Sequence, residues 1–369
     1  TNRRQLFIVG LVLLISVGLV LVIVKYSVFK PLENLSYQLK SRWARATSGL
    51  EGLEQPDKDL PVSFHALGEL YETLRDMAIR DPLTGTRVGL ETGKAEEFAT
   101  FAELYRAFET QLNHIVDLKI RVNNYIERMY AKYSPAPFLS VVINDCIDKG
   151  RDYYDGGPRY NPNYIQCCGI GTVTDSLSAL KTHVFERSTV SMKELCEALQ
   201  NNFAGAEKLR QTLWNKTPFF GNDDERADSL MRRVYDSLLA AIDGKANTKG
   251  TVYHLNMLST TCHVYFGKML GATPNGRFAR LPMSDGTSPS QGCDRNGPTA
   301  VIKSLSKMDQ IKSGGTLLNQ RFLPSVLESE QDLDKLCSLV RTYFSLGGHH
   351  VQFNVVDTRT LKLAQEQPD

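Results

Sequence analysis

The run Tyr164-Ile-Gln-Cys-Cys-Gly-Ile-Gly-Thr-Val-Thr-Asp-Ser-Leu177 decides how this chain folds. Tyr164 to Gly169 reads as a short strand closed by a glycine. Thr174 to Val184 reads as a helix with Asp175 in its first turn, where a carboxylate suits the free amides and the helix dipole. Strand, tight turn and helix in that order is the repeating unit of a parallel sheet. Downstream, Ala300-Val-Ile302, Thr316-Leu-Leu318 and His350-Val-Gln-Phe-Asn-Val-Val356 read as further buried strands. Upstream, Leu104, Phe108, Leu112, Ile115, Leu118 and Val122 fall three or four apart. That period predicts one long helix over Phe101–Tyr133, ended by Ser134-Pro-Ala-Pro137. The fold class is α/β, and sites in such folds collect at strand ends and loops.

Three loops concentrate glycine: Gly271-Ala-Thr-Pro-Asn-Gly-Arg277, Ser284-Asp-Gly-Thr-Ser-Pro-Ser-Gln-Gly292 and Ser313-Gly-Gly-Thr316. Glycine there serves either a tight turn or close approach to a ligand, and the residues alone leave both open. Net charge is only +2 and no basic run interleaves with aromatics, which argues against nucleic acid as a partner. Seven cysteines without any CxxC pair argue against a zinc ribbon or a disulfide framework. Gly89-Leu-Glu-Thr-Gly-Lys94 is one residue short of a phosphate loop, and Ala95 stands where Ser or Thr would bind magnesium.

The amino-terminal part reads differently. Leu6–Val24 is a run of 19 uncharged residues, about 28 Å as a helix, flanked by Arg3 and Arg4 before and Lys25 and Lys30 after. A transmembrane helix over residues 1–30 is expected, with the downstream residues on the cytoplasmic side; a signal peptide is the alternative, though no small-residue cleavage site comes after the run. Leu32, Leu35 and Leu39, then Leu67, Leu70, Leu74 and Met77, repeat a helical-bundle spacing around a connector holding Gly49, Gly52, Pro56 and Pro61. Residues 31–80 thus resemble a HAMP signal relay. Arg80-Asp-Pro-Leu-Thr-Gly85 then resembles the lead-in to a diguanylate cyclase, yet the chain contains no GG(D/E)EF loop. The same string continues as Thr86-Arg-Val-Gly-Leu-Glu-Thr-Gly93, which resembles a second family, and a fusion of two genes at this string is expected. The chain opens on Thr1 and stops at Asp369, and both ends read as cut.

That second family is the glycyl radical enzymes. Tyr160-Asn-Pro-Asn-Tyr-Ile-Gln166, Gly169 to Leu177, Gly221-Asn-Asp-Asp224, Gly271 to Arg277 and Ser284 to Gly292 resemble it in order. So do Asn296-Gly-Pro-Thr-Ala-Val301, Gly315-Thr-Leu-Leu-Asn319 and Gly347-Gly-His-His-Val-Gln-Phe-Asn-Val355. Residues 81–369 are therefore identified as the carboxyl part of a pyruvate formate-lyase-like domain running into the start of a glycine radical domain. The resemblance implies a partial ten-stranded α/β barrel. Val252-Tyr-His-Leu-Asn-Met-Leu-Ser-Thr-Thr-Cys-His-Val-Tyr-Phe266 is similar to the glycerol and diol dehydratase and hydroxyphenylacetate decarboxylase branch.

The resemblance also implies the chemistry. A glycyl radical, installed by an S-adenosylmethionine/iron–sulfur activase, oxidises a cysteine, and the thiyl abstracts hydrogen from a small organic substrate before elimination. The Cys-x-Glu and Arg-Val-x-Gly-Tyr strings that carry these steps do not occur here, so no catalytic, cofactor-binding or metal-binding residue is assigned. A fragment of a dehydratase- or decarboxylase-type lyase, inactive alone, is the expected reading. A membrane-anchored HAMP protein with a non-catalytic barrel module and formate C-acetyltransferase-like acyl transfer are the alternatives. A homodimer is the expected assembly. Cys167 and Cys168 read as buried strand residues rather than nucleophiles, and His349 and His350 as barrel packing rather than metal ligands. His254, inside the branch-specific string, is the candidate substrate contact.

Overall fold

In a computed structural model of the chain, the residues described are 89–367. The candidate membrane span Leu6–Val24 and the HAMP-like residues 31–80 lie outside them. Among the described residues no helix is long and apolar enough to cross a membrane.

Helix α1 (Phe101–Tyr133) has the predicted limits. Thr100 caps it, its hydroxyl accepting from the Glu103 amide at 3.2 Å while the Glu103 carboxylate accepts from the Thr100 amide, a reciprocal capping box. Strand β1 (Asn163–Gln166) leads through Gly169, in a left-handed conformation, into helix α2 (Ile170–Ala179). This helix starts four residues earlier than the sequence pattern predicts, because Gly169 supplies the turn. Asp175 consequently lies in the second turn, away from the dipole and completely buried. A π-helical turn over Leu180–Glu186 continues it.

Two shorter helices, Met192–Gln200 and Glu207–Lys216, precede helix α3 (Glu225–Ile242) and strand β2 (Tyr253–Asn256), after which come α4 (Cys262–Met269) and α5 (Pro298–Leu305). The predicted strand Ala300–Ile302 is thus helical. Gly297 with positive φ and Pro298 at the first helical position start it, and Ala300, Val301, Ile302 and Leu305 bury one helical face. Strand β3 (Leu318–Phe322), α6 (Glu330–Ser345), β4 (Val351–Val355) and α7 (Thr358–Glu366) complete the described chain.

The four strands are all parallel. Tyr164 pairs with His254 and Ile165 with Leu255; Leu318 pairs with Val351 and Arg321 with Asn354. A single parallel bridge, Met257 to Thr316, joins the two pairs, so the described strands run in the order β1, β2, β3, β4. Thr316, predicted as strand, belongs to that bridge, and the regular ladder begins at Leu318.

Ile165, Tyr253, Leu255 and Leu318 face one way and are buried in a core built with Leu104, Phe108 and Leu112 of α1, Val173 and Leu177 of α2, and Val234 and Leu238 of α3. β4 is only half-buried, contrary to the expected buried strand, and His349 and His350 at its start are exposed rather than packed.

Gly171 lies at a close contact in this core, between α2 and the Ser284–Gly292 stretch. A β-carbon there would stand 2.8 Å from the Ser288 carbonyl oxygen and 2.9 Å from the Ser290 amide nitrogen, both backbone atoms with little freedom to retreat. Gly171→Ala is expected to lower stability by about 1–3 kcal/mol, read as a fall in the urea midpoint; an unchanged midpoint would show that the loop yields.

Candidate active site

Successive residues of a strand point to opposite faces. Counting from the shared register, Tyr253, Leu255, Leu318 and Val351 point to the helices. Tyr164 and Gln166 on β1, His254 and Asn256 on β2, Asn319 and Arg321 on β3, and Gln352 and Asn354 on β4 share the other face. Parallel strands covered on both sides are normally apolar throughout. Here one face is apolar and helix-covered while the other is a row of amides, hydroxyl, imidazole and guanidinium. That face is the candidate site.

Its upper border is formed by the Ser284–Gly292 loop, which takes the place beside β3 that β2 vacates. The Thr287 amide donates to the Leu317 carbonyl (2.9 Å) and the Asn319 amide donates to the Ser288 hydroxyl (2.9 Å). Gly286 has positive φ, and a side chain there would collide with the Leu317 carbonyl.

Three contacts fix the loop to α2 and its neighbours. The Thr172 amide donates to Ser284 Oγ (3.1 Å), the Ser284 amide donates to Thr172 Oγ1 (2.9 Å), and Ser290 Oγ donates to Asp175 Oδ2 (2.6 Å). Asp175 Oδ1 also accepts from the Phe220 amide (2.8 Å). Burial pushes the Asp175 carboxyl up to about 7, against the lowering effect of these two hydrogen bonds and of Arg295.

The Gly271–Arg277 loop winds around a buried guanidinium. Arg277 donates to the carbonyls of Gly271 (2.6 Å), Leu281 (2.6 Å) and Phe278 (3.1 Å) and to Thr273 Oγ1 (3.2 Å). Burial without a carboxylate partner lowers its pKa to about 10. This glycine-rich loop is a turn organised by its own arginine.

His254 sits on the candidate face. Its Nδ1 lies 2.7 Å from Asp243 Oδ1, and its ring stacks obliquely on Tyr164 at 5.8 Å. It lines an open cleft of about 600 Å³ against the end of α3, together with Asp236, Leu239, Ala240, Asp243, Ile311 and Lys312.

Cys167 and Cys168 are both buried. Burial raises the Cys167 thiol to about 12, and raises Cys168 further with Cys167, Cys262 and Asp285 adding to it. Neither is a thiolate at neutral pH. Among the described residues no group of three His, Cys, Asp or Glu side chains is placed to hold a metal ion.

Sequence reasoning misses Arg321, Asn319, Gln352 and Asn354. Their signal is the alternation Leu-Asn-Gln-Arg-Phe and Val-Gln-Phe-Asn-Val, in which polar side chains occupy every second place.

Residues 76–267 match the model of the pyruvate formate lyase-like family, and residues 283–369 match that of the glycine radical domain. The chain belongs to the pyruvate formate lyase-like family. Arg80-Asp-Pro-Leu-Thr-Gly85 lies inside the matched stretch.

Trans-4-hydroxy-L-proline dehydratase of Clostridioides difficile is 49% identical over 288 residues, covering 78% of this chain and 36% of that protein. Isethionate sulfite-lyase of Oleidesulfovibrio alaskensis is 37% identical over 335 residues, covering 88% of this chain and 40% of that protein. The crystal structure of the Clostridioides difficile hydroxyproline dehydratase with trans-4-hydroxy-L-proline bound superposes with a TM-score of 0.79 at 47% identity, over 82% of this chain and 38% of that one. This member of the pyruvate formate lyase-like family thus spans well under half the length of the relatives it matches. Those relatives are glycyl radical dehydratases and lyases with α/β barrels.

The site generates two expectations. Between about pH 4 and pH 7 the folded chain holds a proton on Asp175 that the unfolded chain has lost, so this group's contribution makes stability fall as pH rises through that window. Asp175→Asn is expected to flatten that slope in urea midpoints compared across the window, and an unchanged slope would mean that Asp175 does not carry it.

The second expectation concerns the thiols. Alkylation by iodoacetamide in native buffer should label exposed Cys337 and leave Cys167 and Cys168 unmodified until urea unfolds the chain. Labelling of Cys168 at the rate of Cys337 would overturn the buried, unreactive assignment.

Proposed function

We propose that this chain is the carboxyl-side part of a glycyl radical dehydratase that removes water from a small hydroxylated amino acid of the trans-4-hydroxy-L-proline type. The observation that carries the reading is the 49% identity to trans-4-hydroxy-L-proline dehydratase over 288 residues, against 37% to the sulfite-lyase over 335. When present, the glycyl radical supplies hydrogen-atom abstraction through a cysteine. The residues of this chain do the remaining work on their side of the cavity.

The polar face binds and orients the substrate's heteroatoms, with His254, held by Asp243, among its contacts. The Ser284–Gly292 loop, locked by Asp175 and Ser290, closes that side against water, which protects a radical from quenching. The Cys-x-Glu and Arg-Val-x-Gly-Tyr strings do not occur in the 369 residues, so the role of this stretch is to hold and orient substrate. A radical S-adenosylmethionine activase and a second copy of the complete enzyme are the partners this reading carries with it.

A chimera tests it. Residues 89–367 replace the matching segment of the Clostridioides difficile enzyme, and the product is activated anaerobically. Dehydration of trans-4-hydroxy-L-proline within about tenfold of the parent is expected, roughly 1.4 kcal/mol in the barrier, with no turnover of glycerol or isethionate. A folded chimera that carries the radical by electron paramagnetic resonance, yet turns over glycerol or isethionate and not hydroxyproline, would overturn the assignment.

A further inference from the structure

We infer that Arg321, with Asn319, Gln352 and Asn354, forms a subsite for the carboxylate of a small substrate. The four residues lie on the polar face of β3 and β4, and the register places Asn319 opposite Gln352 and Arg321 opposite Asn354. Neighbouring strands stand about 4.8 Å apart and alternate residues about 6.7 Å apart along a strand, so four side chains rise from the corners of a small rectangle.

Arg321 is the only permanent cation on the four strands and is exposed. Among the described residues its guanidinium has no hydrogen-bond or ion-pair partner. The Asp294 carboxyl feels its charge: burial raises that pKa, and Arg321 works against the rise without pairing with the group. An arginine fork with no carboxylate of its own is matched to a planar two-oxygen anion.

The amides add donors beside it. Gln352 Nε2 reaches Asn354 Oδ1 at 3.4 Å, which turns the Asn354 amide nitrogen away from Gln352 and leaves it free to donate. On the opposite face the rings of Phe322 and Phe353 pack at 5.6 Å and hold the two strands in this register. The ligand is a single carboxylate rather than a polyphosphate chain, because one guanidinium flanked by neutral amides offers one anion's worth of charge. The inference rests on the proposed amino-acid substrate for its choice of carboxylate.

The test uses the full chain and titration calorimetry with trans-4-hydroxy-L-proline, 3-hydroxypyrrolidine (the same ring without the carboxylate) and proline. Wild type is expected to bind hydroxyproline at least tenfold tighter than 3-hydroxypyrrolidine, with the preference shrinking as salt rises. Arg321→Gln, whose exposed position should leave the melting curve unchanged, is expected to bind the two alike; Arg321→Lys should recover part of the preference.

If Arg321→Gln keeps the preference, or wild type shows none, the subsite is wrong. If proline and hydroxyproline bind equally well through Arg321, the carboxylate subsite stands. The chain's selectivity for the hydroxyl, and with it the hydroxyproline reading, would then lack support from this face.

Discussion

A buried carboxylate hydrogen-bonded to a loop holds the site together. Asp175 has no exposed surface, and its two oxygens accept from the Phe220 amide and the Ser290 hydroxyl, tying α2 to two separate stretches of chain. The Ser290 contact sets where the Ser284–Gly292 loop lies, and that loop in turn donates to and accepts from the backbone of β3. A buried carboxylate is costly when ionised. At this point the two hydrogen bonds favour the ionised carboxylate and burial favours the protonated one; burial prevails, so the folded state gains most where the proton is retained.

Among the described residues, helices α1, α2 and α3 pack on one face of the strands, and the polar side chains collect on the other. Each ladder residue that faces α1, α2 or α3 is apolar or aromatic, apart from a few such as Asn163, which donates to Glu127 of α1. The alternate residues carry the amides, the imidazole and the guanidinium, and of these His254 reaches back to Asp243 at the end of α3. Function and stability are therefore written into the same strands at alternating positions. A one-residue slip of register would exchange them completely.

Much of this is legible in the residues alone. The long helix α1 announces itself by period, cap and terminating prolines, and the strand of Tyr164–Gly169 by its glycine stop. The ordered strings place the chain in its family. The hidden parts depend on tertiary context. Ala300-Val-Ile302 is apolar enough for a strand, and only the Gly297-Pro298 start and the burial of one helical face make it a helix. Asp175 looks like a first-turn residue because propensity does not locate the turn set by Gly169. Arg321 escapes notice because a short strand with one charge looks like an ordinary edge until its register with Asn354 is known. His349 and His350 look like packing only if strand burial is assumed, and β4 is only half-covered.

Helix α6 carries sixteen residues, yet Tyr343 is its single buried side chain. The Tyr343 hydroxyl donates to Gln310 Oε1 and to the His350 carbonyl, and its ring fills the space where Gly348 has no side chain. Among the described residues, the segment from α6 to α7 is moored to the rest by that ring, by the half-buried Leu339 and Val351, and by the ladder to β3. A segment with so few buried apolar contacts stands at the low end of the local opening free energies within a fold, below the α1–α2–α3 core. The β4 share of the polar face, Gln352 and Asn354, would then be presented or withdrawn as a body, by a motion that leaves the helix-covered strands untouched.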